Sequence, residues 1–318
     1  MDKIKLFSKQ KDHLPKQTID NGFNYVGSSY DYHNDNTKHK YVNDNVGLTI
    51  DKFGLQIVTN PTNYLKENNI IQINRSELGE FKEKFESDLH TNTDNYILSG
   101  LDYNLNIKTD YPVSSYLGAL NLLPKYKKEI YANGCGITYL NKCKTFSVYD
   151  KVKQMKDSSL TVPLEYQSAN IMRLELGVKT RLKKSMNLAS INSLRDLIAT
   201  DNYVSVIKEF EHIYNKIHKH PLHRFLNMTK PHHSQMSTDN FAFIYYINEI
   251  GLSNYISSLD QERKMGIISY KQMKTRKDKA ITLWKQYSEL ENNTCDLFKE
   301  MNDKVIGQIQ MNRELALN

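Results

Sequence analysis

The segment Ile171-Met-Arg-Leu-Glu-Leu-Gly-Val178 constrains the fold more than any other part of the chain. Successive side chains of a strand point to opposite faces, so Ile171, Arg173, Glu175 and Gly177 share one face and Met172, Leu174, Leu176 and Val178 the other. The second face is wholly apolar and must be buried. The first carries a cation and an anion, which need water or partners. Such a strand belongs in a sheet with one covered face and one polar face.

Other segments supply neighbours for it. Val46–Asp51 and Leu55–Thr59 read as two short strands around a turn at Lys52-Phe53-Gly54. From Ser76, a possible N-cap, the apolar residues Leu78, Phe81, Phe85 and Leu89 recur at helical spacing, with Gly79 as an internal cost. Tyr96–Ile107 alternates as a strand, Val113–Leu123 carries a helical pattern ending before Pro124, and further strands are predicted near Gly136–Leu140 and Thr145–Tyr149. Residues 11–45 are polar with little apolar periodicity and predict loop or frayed structure. After Lys183 the strand signal stops, and the texture is helical with breaks at Pro221, Pro231 and Gly251. The chain therefore reads as α+β, with residues 1–200 forming one domain and residues 201–318 a second, helical one.

With 318 residues the chain can bury a core in each of two domains. Lys and Arg outnumber Asp and Glu by 43 to 36, a formal charge of +7 that favours an anionic partner such as nucleic acid or an anionic membrane surface. No apolar run approaches the roughly 20 residues a membrane span requires, and the N-terminus lacks a signal-peptide core, so a cytoplasmic protein without a membrane partner is expected. The three cysteines, Cys135, Cys143 and Cys295, form no CxxC pair and suit packing roles in a reducing compartment.

A strand presenting Arg173 and Glu175 beside one carrying Asp102 could gather carboxylates for a hard divalent cation. The pattern alone equally describes a surface ion pair on a half-exposed strand, and spacing does not decide between them.

Three segments, in order, resemble the gene II/X family of phage and plasmid replication proteins, the filamentous-phage-type rolling-circle nicking enzymes, which are HUH-like endonucleases. Gly100-Leu-Asp-Tyr-Asn-Leu is similar to the family's Arg-Ile-Asp strand, with Leu101 at the Ile position and no Arg before it. Thr145-Phe-Ser-Val-Tyr-Asp-Lys-Val-Lys resembles the segment whose tyrosine attacks DNA. Ile171-Met-Arg-Leu-Glu-Leu-Gly-Val-Lys-Thr-Arg-Leu-Lys-Lys resembles an apolar-Arg-apolar-Glu strand followed by basic residues. A fourth segment, from Thr59 to Asn69, is similar to the family's small-Pro segment but lacks its Gly and His. Together these cover roughly residues 55–200.

The resemblance implies an antiparallel sheet flanked by helices as the catalytic domain, followed by a helical domain that contributes to origin binding. It further implies that Tyr149 is the nucleophile and that Asp102 and Glu175 are ligands for Mg²⁺ or Mn²⁺. A phenol, with an ordinary pKa near 10, needs a cation or base nearby, which Lys151, Lys153 or Arg173 could supply. The expected partners are single-stranded or supercoiled origin DNA and a host helicase and polymerase in a bacterial cytoplasm. Tyr139 is the reserve nucleophile among 21 tyrosines.

Six of the ten histidines, His212, His218, His220, His223, His232 and His233, crowd one stretch without a standard zinc spacing, and read better as a basic, polar linker than as a metal site. Leu252–Leu259, a break, and Ile268–Lys279 could form a helix, a turn and a basic DNA-reading helix, or equally a solvated basic face. Leu283–Leu317 is amphipathic. The rival functional reading is a non-catalytic origin-binding initiator that recruits a helicase.

Overall fold

In the computed structural model of the protein, residues 1–179, 182, 188–219, 223–225, 240, 243–244, 246–247, 250, 252–291 and 294–317 are described. The chain divides into two compact units, one comprising Met1–His220 with Phe298–Asn318 and the other Pro221–Leu297.

The first unit is built on a ten-stranded, wholly antiparallel sheet. In chain order its elements are β1 (Lys3–Ser8), α1 (Lys16–Gly22), β2 (Asn24–Asp31), β3 (Asn36–Val42), β4 (Val46–Asp51), β5 (Gly54–Thr59), α2 (Pro61–Lys66), α3 (Arg75–Leu89), β6 (Ile97–Lys108), α4 (Ser114–Leu117), β7 (Lys127–Ile130), β8 (Gly136–Leu140), β9 (Lys144–Asp150), α5 (Lys151–Asp157), β10 (Ile171–Val178), α6 (Leu194–Ile198) and α7 (Thr200–Lys216). The spatial order is β2-β3-β4-β5-β1-β6-β10-β9-β8-β7. The second unit holds β11 (His223–Phe225), α8 (Leu252–Lys264), α9 (Tyr270–Glu291) and β12 (Thr294–Asp296), and α10 (Leu297–Leu317) follows. The protein is thus α+β, an antiparallel sheet flanked by helices with a helical C-terminal region.

One sheet face is buried. Ile4, Leu6, Leu48, Leu55, Ile57, Leu101, Tyr103, Leu105, Phe146, Leu174 and Leu176 all lie there with almost no exposure. Helix α7 covers part of it because Tyr203, Val206, Ile207, Phe210, Ile213 and Tyr214 fall on one helical stripe. The Phe210 ring meets Tyr103 at 5.4 Å and Phe146 at 5.2 Å. Helix α10 is tied to the same unit by Tyr116 Oη, which donates to Glu300 Oε2 (2.6 Å), and by Asn312 Nδ2, which donates to Tyr103 Oη (2.9 Å).

These contacts overturn the expected division at residue 200: both α7 and nearly all of α10 belong with the sheet, because their apolar stripes complete its core. Helix α3 buries the four expected residues, but its cap is Asn74, one turn before Glu77, with which it forms a reciprocal capping box; Ser76 lies inside the helix. The helix expected over Val113–Leu123 shrinks to α4. Beyond it the backbone bonds elsewhere, Leu120 bridging to Lys219 and the Asn121 amide donating to the His218 carbonyl. Residues 11–45, expected to be irregular, contain α1 and the β2–β3 ribbon. The pair is exposed on both faces, so no apolar alternation marks it, and pairing of His39–Val42 with Gly47–Ile50 holds it to the sheet. The ribbon tip is fastened by Asn36, whose Nδ2 donates to Asp51 Oδ2 (3.0 Å), and by Lys52 Nζ on the Asp35 carbonyl (2.9 Å). Gly54 is required at the β4–β5 turn: its φ is +148°, and a Cβ there would run into the Ser8 carbonyl.

Candidate active site

Cross-strand register places the three sequence motifs side by side. Strand β10 lies between β6 and β9, with Arg173 opposite Asn106 and Tyr149, Glu175 opposite Asn104 and Ser147, and Gly177 opposite Asp102 and Thr145. Directly opposed residues share a face. Tyr149, Arg173, Glu175 and Asp102 therefore occupy the polar face of the sheet, opposite the helix-covered core.

At the centre, Tyr149 Oη donates to Glu175 Oε2 at 3.0 Å. The Tyr149 ring is 8% exposed, whereas Glu175 and Asp102 remain partly accessible. Burial and the adjoining Glu175 charge push the Tyr149 phenol well above its ordinary value, Arg173 opposing them more weakly. Glu175 is itself pushed up to about 7, by burial first and then by the negative charges of Asp2 and Asp102. Asp102 is raised mainly by burial, while Lys3, 3.3 Å away, holds it down in part. Three carboxylates thus crowd one patch with Arg173 and Lys3 as counter-charges.

Arg173 is completely buried. Its Nε donates to Asn106 Oδ1 (2.8 Å), Nη2 donates to the Asn69 carbonyl, and Nη1 lies 3.3 Å from Asp2 Oδ2. It is therefore a strut joining β10 to β6, to the loop before α3 and to the residue preceding β1. Asp2 is in turn held by Asn60 Nδ2 (3.1 Å).

The two lysines after Tyr149 diverge. Asp150 caps α5 by accepting from the Lys153 amide at 2.9 Å, so the chain turns into a helix directly after the nucleophile candidate. Lys151, 2% exposed, donates to Gln154 Oε1 (2.8 Å), and burial followed by repulsion from Arg173 lowers it to about 8. Lys153 is exposed, its Nζ 3.5 Å from the Asn133 carbonyl, and does not enter the site. Neither lysine is hydrogen-bonded to Tyr149, whose hydroxyl faces the Glu175 carboxylate instead. Tyr139, the reserve candidate, points to the opposite, buried face and donates to the Asn121 carbonyl at 3.1 Å.

Three features carry weaker sequence signals. Tyr131 packs beside Tyr149, ring centroids 6.2 Å apart. Gly136 makes room for that pair, since a Cβ there would sit 2.6 Å from Tyr149 Cβ and 2.7 Å from the Tyr131 ring. Gly177 lets Asp102 and Thr145 approach β10, a Cβ there falling 3.0 Å from Asp102 Oδ1. A glycine inside a strand signals such a close approach. For Asp2 the sequence carries no signal.

Among the described residues, no group of three or more His, Cys, Asp or Glu side chains is arranged to hold a metal. A smaller donor set does suit Mg²⁺ or Mn²⁺, which are bound through one or two carboxylates together with substrate phosphate oxygens and water. Asp102 and Glu175, partly accessible and raised toward protonation by burial first and then by neighbouring carboxylates, meet that description. Of the histidine cluster, His212 lies on α7 and His218 just beyond it; His220, His232 and His233 and the His223 side chain lie outside the described residues. No described helix is long and apolar enough to cross a membrane. No protein-family model and no curated protein matches the sequence.

Proposed function

We propose that the chain is a rolling-circle replication initiator that nicks and rejoins one DNA strand through Tyr149. The observation that carries the reading is the Tyr149–Glu175 hydrogen bond on the polar sheet face that also bears Asp102. A buried phenol whose proton already points at a carboxylate with a pKa near 7 has its general base in place.

In this reading the Tyr149 oxygen attacks the scissile phosphorus as its proton passes to Glu175. The bond from phosphorus to the 3′ oxygen breaks, and that oxygen takes a proton from water to leave as a 3′ hydroxyl, while Glu175 returns the phenol proton to solvent. The 5′ phosphate stays on Tyr149. Reversal of the same steps rejoins the strand, so the phosphodiester energy is kept. Arg173 positions β10 and so the Glu175 carboxylate. A Mg²⁺ or Mn²⁺ ion held by Asp102 and Glu175 would stabilise the charge that develops on the phosphoryl oxygens. Origin DNA, single-stranded or supercoiled, is the substrate, and in a bacterial cytoplasm a host helicase opens the duplex while a host polymerase extends the freed 3′ end.

The test is incubation of the protein with origin-containing single-stranded DNA and Mg²⁺ or Mn²⁺, followed by a denaturing gel. A covalent adduct is expected for the wild type and none for Tyr149→Phe. Absence of an adduct with either metal, or a normal adduct in Tyr149→Phe, defeats the reading. A second reading, a non-catalytic origin-binding initiator that recruits a helicase, is favoured by the exposed Lys271, Lys274, Arg276 and Lys279 of α9. Specific origin binding without an adduct would support it.

A further inference from the structure

The polar face of the sheet continues well past the site. Across β3, β4, β5 and β1, register aligns Lys40 with Thr49, Thr49 with Gln56, and Gln56 with Phe7. In the adjacent row Val58 opposes Lys5 and Lys5 opposes Gly100, and in the next Lys3 opposes Asp102, which opposes Gly177. All of these lie on the face that carries Tyr149. On β1, β4 and β5 the side chains of this face are exposed or half-buried, while those of the other face are buried except Ile50, and β3 is open on both faces. The core therefore does not explain their identities. Lys3, Lys5 and Lys40 run outward from the site, and Lys38 follows on β3 with Asp31 at 3.6 Å. Asp51, on the same face, is occupied by the amides of Phe53 (2.8 Å) and Gly54 (3.1 Å) and by Asn36.

We propose that this open half-sheet holds the single strand flanking the scissile phosphate, with phosphates on Lys3, Lys5 and Lys40 and a base stacked on Phe7. The inference rests on the nicking reading and adds the path of the substrate. Strand spacing of about 4.8 Å makes the track from β10 to β3 roughly 24 Å long, enough for several nucleotides. Basic side chains that follow a backbone beside an aromatic platform are how sequence-tolerant single-strand sites are built. A duplex keeps its base faces stacked internally and could not use Phe7, so the occupant is single-stranded.

The experiment is fluorescence anisotropy of labelled oligothymidylate of about 20 nucleotides with the full chain across a salt series, alongside the adduct assay. Lys5→Gln with Lys40→Gln should weaken binding and reduce the salt slope by about 1.4, at about 0.7 per phosphate contact on a single strand. Phe7→Leu, which keeps apolar bulk but loses the ring, should weaken binding at least about fivefold with unchanged thermal unfolding. Unchanged affinity and slope in the lysine variant, or tighter binding of a duplex of the same length, overturns the proposal. If the lysine variant loses strand binding while the wild type forms no adduct, the path stands and the nicking reading falls. An adduct together with unchanged strand binding keeps the nicking reading and defeats the path.

Discussion

Glu175→Gln should make the protein more stable at pH 8 while abolishing adduct formation. The amide keeps the shape and can still accept from Tyr149, but it cannot ionise. Glu175's folded-state pKa, about 7, lies above its unfolded value near 4.5. Its contribution to stability is therefore full below about pH 4.5 and is lost as pH rises through about 7. At about 1.4 kcal/mol per tenfold change in acidity, the loss reaches roughly 3 kcal/mol at pH 8, an upper bound because the site can relax or admit water. The variant lacks this loss. Urea unfolding at pH 4.5, 6, 7 and 8 measures the difference, the midpoint shifting at constant slope. The two proteins should converge at the lowest pH and separate above it, the variant being more stable. A variant equal to or weaker than the wild type at pH 8 would refute the reasoning, since Arg173 would then compensate the Glu175 charge fully. A residue that lowers stability in its charged state is characteristic of a functional site.

Other perturbations test the same geometry. The rate of adduct formation should rise with pH to a plateau, because Glu175 must be ionised to accept the phenol proton, with a midpoint below about 7 where a bound cation favours the carboxylate; a rate that falls over pH 6–8 would exclude it as the base. Millimolar Mg²⁺ should raise the wild-type melting temperature more at pH 8 than at pH 5 and have little effect on Glu175→Gln, as scanning calorimetry would record. Arg173→Met should cost about 3 kcal/mol in urea unfolding, since Asp2, Asn106 and the Asn69 carbonyl lose a buried partner together. Gly177→Ala should push aside Thr145, whose Oγ1 a Cβ would meet at 2.4 Å, and shift Asp102, at 3.0 Å, lowering metal-dependent adduct formation at near-native circular dichroism; full activity would show that Asp102 need not stay where it is.

Much of the frame is legible in local pattern. Period-two alternation marks β4, β5, β6, β8, β9 and β10, and the helical stripe Leu78, Phe81, Phe85, Leu89 marks α3, because each sets its apolar side chains on one face toward the core, although β10 proves buried on its polar face as well. Alternation in Ile171–Val178 also assigns Arg173 and Glu175 to one face before any neighbour is known. What pattern cannot carry is adjacency. The β2–β3 ribbon buries neither face, so it leaves no apolar period, and its existence depends on the offered edge of β4. Residues 201–318 look separable by texture, yet α7 and α10 bury their stripes on the sheet. Tyr149 and Tyr139 look alike in the sequence, and only register shows that one meets Glu175 while the other faces the core. Whether a cation or an anion would adjoin the phenol was likewise settled by the fold: the turn into α5 carries Lys153 away, burial holds Lys151 against Gln154, and antiparallel pairing of β9 with β10 brings Glu175 to the hydroxyl. The sequence by itself determined which faces are apolar and which residue types the polar face carries, since these follow from side-chain chemistry at fixed spacing. Tertiary structure alone decided which of those groups meet, because strand order and register depend on the whole chain packing at once.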